Sequence, residues 1–501
     1  MRTQLIRNSL ANFAGLGLPN VVTVVAVPII IHHLGDTTYG VLSLVAAIVG
    51  YFSIIDVNVT AGSVKFLAEF HSRGEPRRMY EVVTLGLLVY FAIGAVGGTS
   101  IVLAAPWLIT HAFQIPVPQR EAATLALRLG GAGFLFGQLQ FYMQSIPQSV
   151  QRYDVSAGYE AAFGMLGPLL TIFVVITGGG LVAIVALRLA LSIVNVLLLG
   201  RRVRGLLPQL SWCLPERRLT RQVLGFSGFA YLRNIAAVTY AQADKLIIGA
   251  LAGAQALAWY AVPFTLISRV FSMVGRLGSV LFPAASALAA QDEMDRLRRI
   301  YLVAVRYTTF INSGLAVALW ALAHNLLSLW IGREFAQRSG TILALLAISA
   351  LLDSITNLPT VINDGLGHPR VTGFFAMIRA AMGVGIAYLL VDRLGVIGAA
   401  IGQLVVSTVM TIAFVAYVHD RTVPAPLLAL LRHGLTPALA STVGPGLLGW
   451  WLAGQLGGGV LPTLAVGAVM AALMALLGYR YVLRTEDKAA LFKFLLPTRL
   501  A

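Results

Sequence analysis

Fourteen stretches of about 20 predominantly apolar residues follow one another along this chain. An α-helix of that length crosses the hydrocarbon core of a bilayer, which is about 30 Å thick. Hydrophobic residues make up 58% of the 501 positions and charged residues only 11%, a balance unlike that of soluble domains. The sequence therefore predicts an all-α polytopic membrane protein with 14 transmembrane helices, at residues 10–31, 39–60, 82–104, 123–146, 157–177, 181–200, 226–250, 258–282, 304–330, 340–362, 372–391, 396–417, 436–455 and 462–483.

The connections between these predicted spans carry lysine and arginine mainly on one side. With the N-terminus inside, 25 of the 36 basic residues lie in cytoplasmic segments, 7 lie within spans, and 4 lie outside, namely Arg120, Arg333, Arg338 and Arg393. Basic loops of membrane proteins stay in the cytoplasm. We therefore predict a multi-pass protein of the inner (cytoplasmic) membrane with both termini in the cytoplasm. The same loops account for the net charge of +16, so nucleic acid is not an expected partner.

The basic residues within the predicted spans are Arg128, Arg188, Arg233, Lys245, Arg269, Arg276 and Arg379. A charge near the centre of a membrane helix costs about 2.5–3.5 kcal/mol on insertion scales, so such residues normally face a protein interior or a water-filled cavity. Arg128 is near its helix end and can extend to the interface instead. The other six are candidate substrate-binding residues of a transporter for something anionic.

Polar residues within the spans recur at helical spacing. Arg269 and Arg276 share one face of the eighth span with serines. Asp56, Asp244 and Asp353 lie on polar faces of the second, seventh and tenth spans. Each aspartate is a candidate either for ion coupling or for structural pairing with a basic residue. A buried ion-pair scaffold is likewise the alternative role for the two arginines.

A shift of 221 residues brings the second half of the chain onto the first. It places RRIY at 298–301 on RRMY at 77–80, and Tyr260 on Tyr39. A repeat unit with an even number of spans keeps its orientation in the membrane, so the pattern predicts two parallel six-helix bundles. We divide the chain into an N-terminal bundle at 1–222, a C-terminal bundle at 223–420, and a segment at 421–501 that carries helices 13 and 14 and a cytoplasmic tail.

Several short motifs occur within and next to the predicted spans. They are ADKLIIG at 243–249 with the later Gly253 and Tyr260, LFPA at 281–284, LG followed by YG within 34–40, and GVIGAA at 395–400. In these motifs the chain resembles the polysaccharide repeat-unit (O-antigen-type) flippases of the MOP (MATE-like) superfamily. The resemblance implies two six-helix bundles that form a MATE-like V around a central cavity, which opens alternately to the two sides. Helices 13 and 14 depart from the twelve-helix pattern of repeat-unit flippases and are similar to those of lipid II flippases.

The resemblance also implies a substrate, an oligosaccharide linked to polyprenyl diphosphate and translocated for the biosynthesis of a polysaccharide such as lipopolysaccharide. Arginine suits a diphosphate because its planar fork donates to several phosphate oxygens. We expect Arg269 and Arg276, about 10 Å apart by helical rise, to contact the diphosphate and the nearby sugar, with Arg188, Lys245 and Arg379 in support. Membrane lipids and an ion gradient are the other expected partners. We expect a monomer without a cofactor.

Three other functions stay open. A lipid II-type flippase for peptidoglycan precursors would share the expected fold. A MATE-type drug or cation antiporter would favour acidic groups, whereas seven basic residues here outnumber the clear acids within spans, which are Asp56, Glu160, Asp244 and Asp353. A membrane glycosyltransferase or polymerase would need a sizeable exterior loop, and the longest one, at about 105–122, has no paired carboxylates. We therefore expect a protein that is not an enzyme.

The predicted topology can be tested with the single native cysteine, Cys213, and an added one in the variant Ala501→Cys. A membrane-impermeant maleimide should label both positions only after the membrane is permeabilised, because both lie in predicted cytoplasmic segments. Labelling in intact cells would contradict the orientation. A cysteine in place of Ala122, in the predicted exterior loop, is the positive control.

Overall fold

The computed structural model describes residues 2–56, 58–207, 213, 215–275, 291, 293–423, 425–484 and 488. Side chains are described from Gly17 onwards, except at 224–230, 232–233, 273 and 275. All regular structure in these residues is helical. The labelled helices are α1 (Arg2–Leu34), α2 (Asp36–Tyr51), α3 (Val59–Arg73), α4 (Pro76–Trp107), α5 (Arg120–Ser149), α6 (Tyr153–Ile176), α7 (Leu181–Leu206), α8 (Arg217–Leu251), α9 (Gly253–Gly275), α10 (Met294–Ala321), α11 (Ala323–Trp330), α12 (Arg333–Gly365), α13 (Pro369–Leu394), α14 (Val396–Arg421), α15 (Thr436–Leu456) and α16 (Val460–Leu477).

Most of the predicted spans correspond to single helices of this set. In the described part of the chain, 10 helical segments are long and apolar enough to cross a membrane. The prediction of an all-α polytopic membrane protein is therefore confirmed. The total of 14 stays a prediction, because α5, α8, α9 and α15 are not among those 10 segments. The predicted span at 258–282 also extends beyond the described end of α9.

The predicted second span, at 39–60, is interrupted. The helix α2 ends at Tyr51, a 3₁₀ turn follows at Phe52–Ile55, and α3 begins at Val59. Asn58 adopts a left-handed conformation with φ of 52°, and its backbone N–H donates to Asp56 Oδ1 at 2.8 Å. Asp and Asn favour such local bonds between side chain and backbone, which compete with a continuous helix. The break therefore has a local chemical cause that average hydropathy does not register.

The predicted span at 304–330 is also two helices, α10 and α11. The chain leaves helical geometry at Leu322, where φ is −104° and ψ is 11°. The Leu322 N–H still bonds to the Ala318 carbonyl oxygen, so the interruption affects a single residue. No proline or glycine occurs at this point, and the sequence gives no signal for it.

Contacts divide the chain into two units. Unit 1 comprises Met1–Val262 and Ala376–Ala399, and unit 2 comprises Pro263–Phe375 and Ala400–Ala501. A buried core in unit 1 includes Val82, Tyr90 and Tyr142. Unit 2 has its own buried cores, one around Tyr301 and Phe414 and another around Met470. The boundaries inferred from the sequence, at residues 222 and 420, stay a prediction.

A tight helical hairpin in unit 1 positions the candidate site. The helices α8 and α9 are separated only by Ala252, and Gly253 adopts φ of 88°, a conformation that costs glycine little. The helix α2 approaches this turn so closely that a Cβ on Gly40 would lie 1.7 Å from the Ala254 carbonyl oxygen. Positions 244 and 260 are each 8 residues from Ala252, so the hairpin sets them side by side.

Candidate functional site

Five polar residues of unit 1 lie together on three helices. Tyr240, Asp244 and Lys245 belong to α8, Tyr260 to the first part of α9, and Arg379 to α13. We call this group the Asp244 cluster. Tyr240 and Asp244 are four residues apart and so share a helical face. The cluster thereby combines two of the predicted substrate-binding residues with one of the predicted coupling aspartates.

Asp244 is held by a tyrosine from the other arm of the hairpin. The Tyr260 hydroxyl donates to Asp244 Oδ2 at 2.7 Å. Tyr260 is completely buried and Asp244 is only 8% exposed, so little water reaches this bond. Hydrogen bonds to a carboxylate are about twice as strong as those between neutral groups, and a buried carboxylate needs such partners. This contact favours a structural role for Asp244. The alternative role, in ion coupling, stays a prediction.

Arg379 is held by an aromatic ring. Its guanidinium carbon lies 4.5 Å from the centre of the Tyr240 ring, and its Nη2 donates to the Tyr240 hydroxyl at 3.1 Å. A cation over an aromatic face is stabilised by about 0.5–2 kcal/mol, with the larger values where water is excluded. Arg379 is half-buried, and the ring fixes the position of its guanidinium.

Lys245 extends the positive charge of the cluster. Its Nζ donates to the Ala241 carbonyl oxygen at 2.8 Å and to Gln242 Oε1 at 3.3 Å, both on α8. Lys245 and Arg379 both attract the Asp244 carboxylate electrostatically. With two cations and one anion, the cluster carries a net positive charge in a partly buried setting. Such a group can bind phosphate or carboxylate oxygens.

Asp56 lies at the interruption between α2 and α3 and is tied to α8 through its backbone. Asn234 Nδ2 donates to the Asp56 carbonyl oxygen at 3.0 Å and to the Ser53 carbonyl oxygen at 3.2 Å. Asp56 is 8% exposed, and its Oδ1 accepts the Asn58 N–H. Through these contacts Asp56 stabilises the break between α2 and α3 and connects it to α8. Its predicted role in coupling stays a prediction.

The remaining predicted residues are not brought into the Asp244 cluster. Arg188 is exposed on α7 and interacts electrostatically with Tyr39, and Arg128 is exposed on α5. In unit 2, Arg269 is exposed on α9 and Asp353 is half-buried on α12. The side chain of Arg233 and the whole of Arg276 lie outside the described residues.

Sequence reasoning missed two residues of this arrangement. Tyr260 was identified as the repeat partner of Tyr39 and as part of the short motifs, but not as the partner of Asp244, although Gly253 marks a turn from which that pairing can be counted. Asn234 gave no signal at all, because its bonds go to backbone atoms distant in sequence. No group of three or more metal-binding side chains occurs among the described residues.

The fold is similar to those of solved membrane transporters. It matches the lipid II flippase MurJ with a TM-score of 0.72 at 11% identity, covering 96% of this chain and 100% of that chain. It matches a multidrug resistance MATE family transporter of the MOP superfamily with a TM-score of 0.69 at 16% identity, covering 82% and 98% of the two chains. The chain therefore has the fold of these polytopic membrane proteins.

Sequence comparison then gives the family. The chain belongs to the polysaccharide biosynthesis protein family, whose model matches residues 34–340. It is also 21% identical over 418 residues to the "Putative O-antigen transporter" of Shigella flexneri, covering 79% of this chain and 93% of that protein. The resemblance to polysaccharide flippases of the MOP superfamily, first found in short motifs, is confirmed.

The bond between Asp244 and Tyr260 predicts a measurable energetic coupling. In a double-mutant cycle, Asp244→Asn and Tyr260→Phe should be non-additive by about 1.5–3 kcal/mol, because either change alone already removes the charged hydrogen bond. The measurement is thermal unfolding of the purified protein in detergent. As a matched control, Tyr142→Phe also removes a buried hydroxyl bond, to the Val82 carbonyl oxygen at 3.0 Å, and should be additive with Asp244→Asn. Equal coupling in both cycles would contradict the assignment.

Proposed function

We propose that this protein is a flippase that moves an oligosaccharide linked to polyprenyl diphosphate across the cytoplasmic membrane, for polysaccharide biosynthesis, by alternating access. The observation that carries the proposal is the half-buried Arg379 in the Asp244 cluster. The surrounding helix, Pro369–Leu394, contains an 18-residue window with a mean hydropathy of 1.9, so the guanidinium lies in a helix apolar enough to span the membrane.

The energetics of this arginine favour a functional role. An arginine in a membrane helix is costly, and it is retained where it pairs with other groups or serves a substrate pathway. The Tyr240 ring and hydroxyl contact the guanidinium, and Asp244 attracts it electrostatically. Because the guanidinium has five N–H donors in a planar fork, it can still bind the oxygens of an anionic ligand.

A lipid-linked diphosphate matches this chemistry. Its phosphates are too polar to cross the hydrocarbon core unaided, and fixed cations within the membrane lower that barrier. Lys245 adds a second cation that, like Arg379, interacts with Asp244, and Asp244 keeps the cluster from being uniformly positive. Membership of a polysaccharide biosynthesis family and similarity to an O-antigen transporter support a glycan as the transported group. Both point to transport rather than catalysis.

The other candidate residues are assigned within this proposal. Arg269 and Arg276 contact the diphosphate and the nearby sugar, and Arg188, Arg233, Lys245 and Arg379 support them. Asp56, Asp244 and Asp353 either couple transport to an ion gradient or pair with basic groups. For Asp244, the bond from Tyr260 and the attraction of Lys245 and Arg379 favour a structural role.

The role of Arg379 predicts a graded loss of glycan export. In a strain that lacks its own O-antigen flippase, Arg379→Gln should reduce export by at least about tenfold, since a charge-assisted bond contributes about 1.5–3 kcal/mol. Arg379→Lys should be intermediate, because it keeps the charge and loses the planar fork. The measurement is surface glycan per unit of protein in the membrane. Arg393→Gln, on the same helix but in a predicted exterior position, is the matched control and should export normally.

The two arginines of the eighth predicted span provide the second arm of this experiment. The double variant Arg269→Ala with Arg276→Ala should abolish export while the protein still inserts at a normal level. Normal export by this double variant would refute their assignment to the diphosphate. If Arg379→Gln exports as well as Arg393→Gln, the proposed role of the Asp244 cluster is wrong.

A further inference from the structure

A groove in unit 1 lies away from the Asp244 cluster. It is formed by α4, α5 and α7 and has a volume of about 920 Å³. Val83, Ile146 and Val203 are buried at its floor, and Leu139, Met143 and Val196 belong to its walls. None of the candidate substrate-binding or coupling residues whose side chains the structure describes lines it. The groove is therefore a separate feature that the proposed transport function does not explain.

The rim of the groove is apolar and open. Leu88 is 45% exposed, Phe91 54% and Leu197 62%, and all three line the groove. These side chains belong to Pro76–Ala112 and Leu181–Leu206, two segments long and apolar enough to span a membrane. An exposed apolar surface at membrane depth is stable only against hydrocarbon, and close packing disfavours leaving the space empty. The walls therefore suit the acyl chain of a lipid.

Two arginines mark one end of the groove. Arg201 and Arg204 both line it, are both exposed, and are one helical turn apart at the end of α7. Neither forms an ion pair with another described residue. The distribution of basic residues assigns this end of α7 to the cytoplasmic side. Basic pockets between membrane helices at the cytoplasmic surface bind anionic lipid headgroups.

We propose that this groove binds one anionic phospholipid of the cytoplasmic leaflet. An acyl chain lies along α4, α5 and α7, and the phosphate lies between the guanidinium groups of Arg201 and Arg204. The two arginines at this end of the groove have no acidic residue among the described lining residues to balance their charge. Charge complementarity therefore favours an anionic headgroup over a zwitterionic one. The groove lies within one unit and lacks the proposed substrate residues, which favours a membrane phospholipid over the transported lipid.

Gly200 allows the groove to be filled without disturbing the helix packing. A Cβ at this position would meet only the Met143 methyl carbon, at 3.9 Å, an ordinary van der Waals distance. Gly200 lines the groove beside Arg201, so a larger side chain there occupies the space assigned to the lipid. Gly205 on the same helix has no atom within 4 Å of its would-be Cβ and does not line the groove. The two glycines therefore form a matched pair of sites.

The experiment measures phospholipid binding to the purified full chain by native mass spectrometry after delipidation. Phosphatidylglycerol and phosphatidylcholine are each titrated into the protein, and their affinities are compared. The wild-type protein should bind one phosphatidylglycerol in preference, and Arg201→Gln with Arg204→Gln should weaken that binding by at least about tenfold. Arg202→Gln with Arg217→Gln removes the same charge from two exposed residues outside the groove and should leave binding unchanged. Gly200→Phe should weaken binding by a similar factor, and Gly205→Phe should not.

Several results would overturn the proposal. Equal affinity of the wild-type protein for the two phospholipids would exclude a selective anionic site. Equal loss in the groove and control arginine variants would indicate only a general effect of net charge. If polyprenyl phosphate is lost from the groove variants while phosphatidylglycerol is retained, the groove holds the transported lipid instead. Should the double arginine variant fail to fold, the comparison of Gly200→Phe with Gly205→Phe decides the question.

Discussion

The cost of holding charge inside an apolar helical protein is the constraint on which the candidate site depends. Asp244, Lys245 and Arg379 lie on helices whose other residues are mostly apolar, and each is stabilised by specific partners. Tyr260 donates to the aspartate, Tyr240 stacks on the arginine, and α8 supplies acceptors for the lysine. Removing one partner leaves a charge in low-dielectric surroundings without its stabilising contact. This costs far more than losing an ion pair at the surface. The stability of each charged residue in the cluster therefore depends on its partner.

Local backbone geometry makes this cluster possible. The turn at Gly253 returns the chain after a single residue, and the close approach permitted at Gly40 packs α2 against that turn. Asn234 then bonds the interrupted backbone between α2 and α3 to α8. The helix break at Asp56 and the hairpin of α8 and α9 are thus linked within unit 1. Interrupted helices of this kind are a recurrent feature of transporter sites.

Much of the helical framework follows from the sequence because membrane spans are set by a strong, additive signal. About twenty predominantly apolar residues in a row leave few alternatives to a helix, so most of the predicted segments correspond to observed helices. The interruptions at Asp56 and Leu322 were not predicted, since hydropathy averaged over a window does not detect a break of one to three residues. In the site, Lys245, Arg379 and Asp244 were identified by their cost in the membrane. Their partner Tyr260 was not, because a tyrosine in an apolar helix has no comparable cost.

The same limit applies to the faces of the helices. Sequence periodicity places a residue on a face but does not say what the face contacts, and Arg188 and Arg269 are in fact exposed on α7 and α9. The groove beside Arg201 and Arg204 likewise needs three helices that the sequence alone does not bring together. The structure therefore adds what the sequence does not show, namely which long helices pack against each other.

The most direct test of the account is reconstitution of the purified full chain into liposomes that contain an oligosaccharide linked to polyprenyl diphosphate. Added lectin and glycosidase report the glycan that reaches the opposite leaflet. The account predicts glycan exposure well above that in protein-free liposomes, and inhibition by excess soluble diphosphate. The test is made with folded protein and with each ion gradient supplied in turn. Glycan exposure no faster than in protein-free liposomes would then contradict the assignment as a flippase.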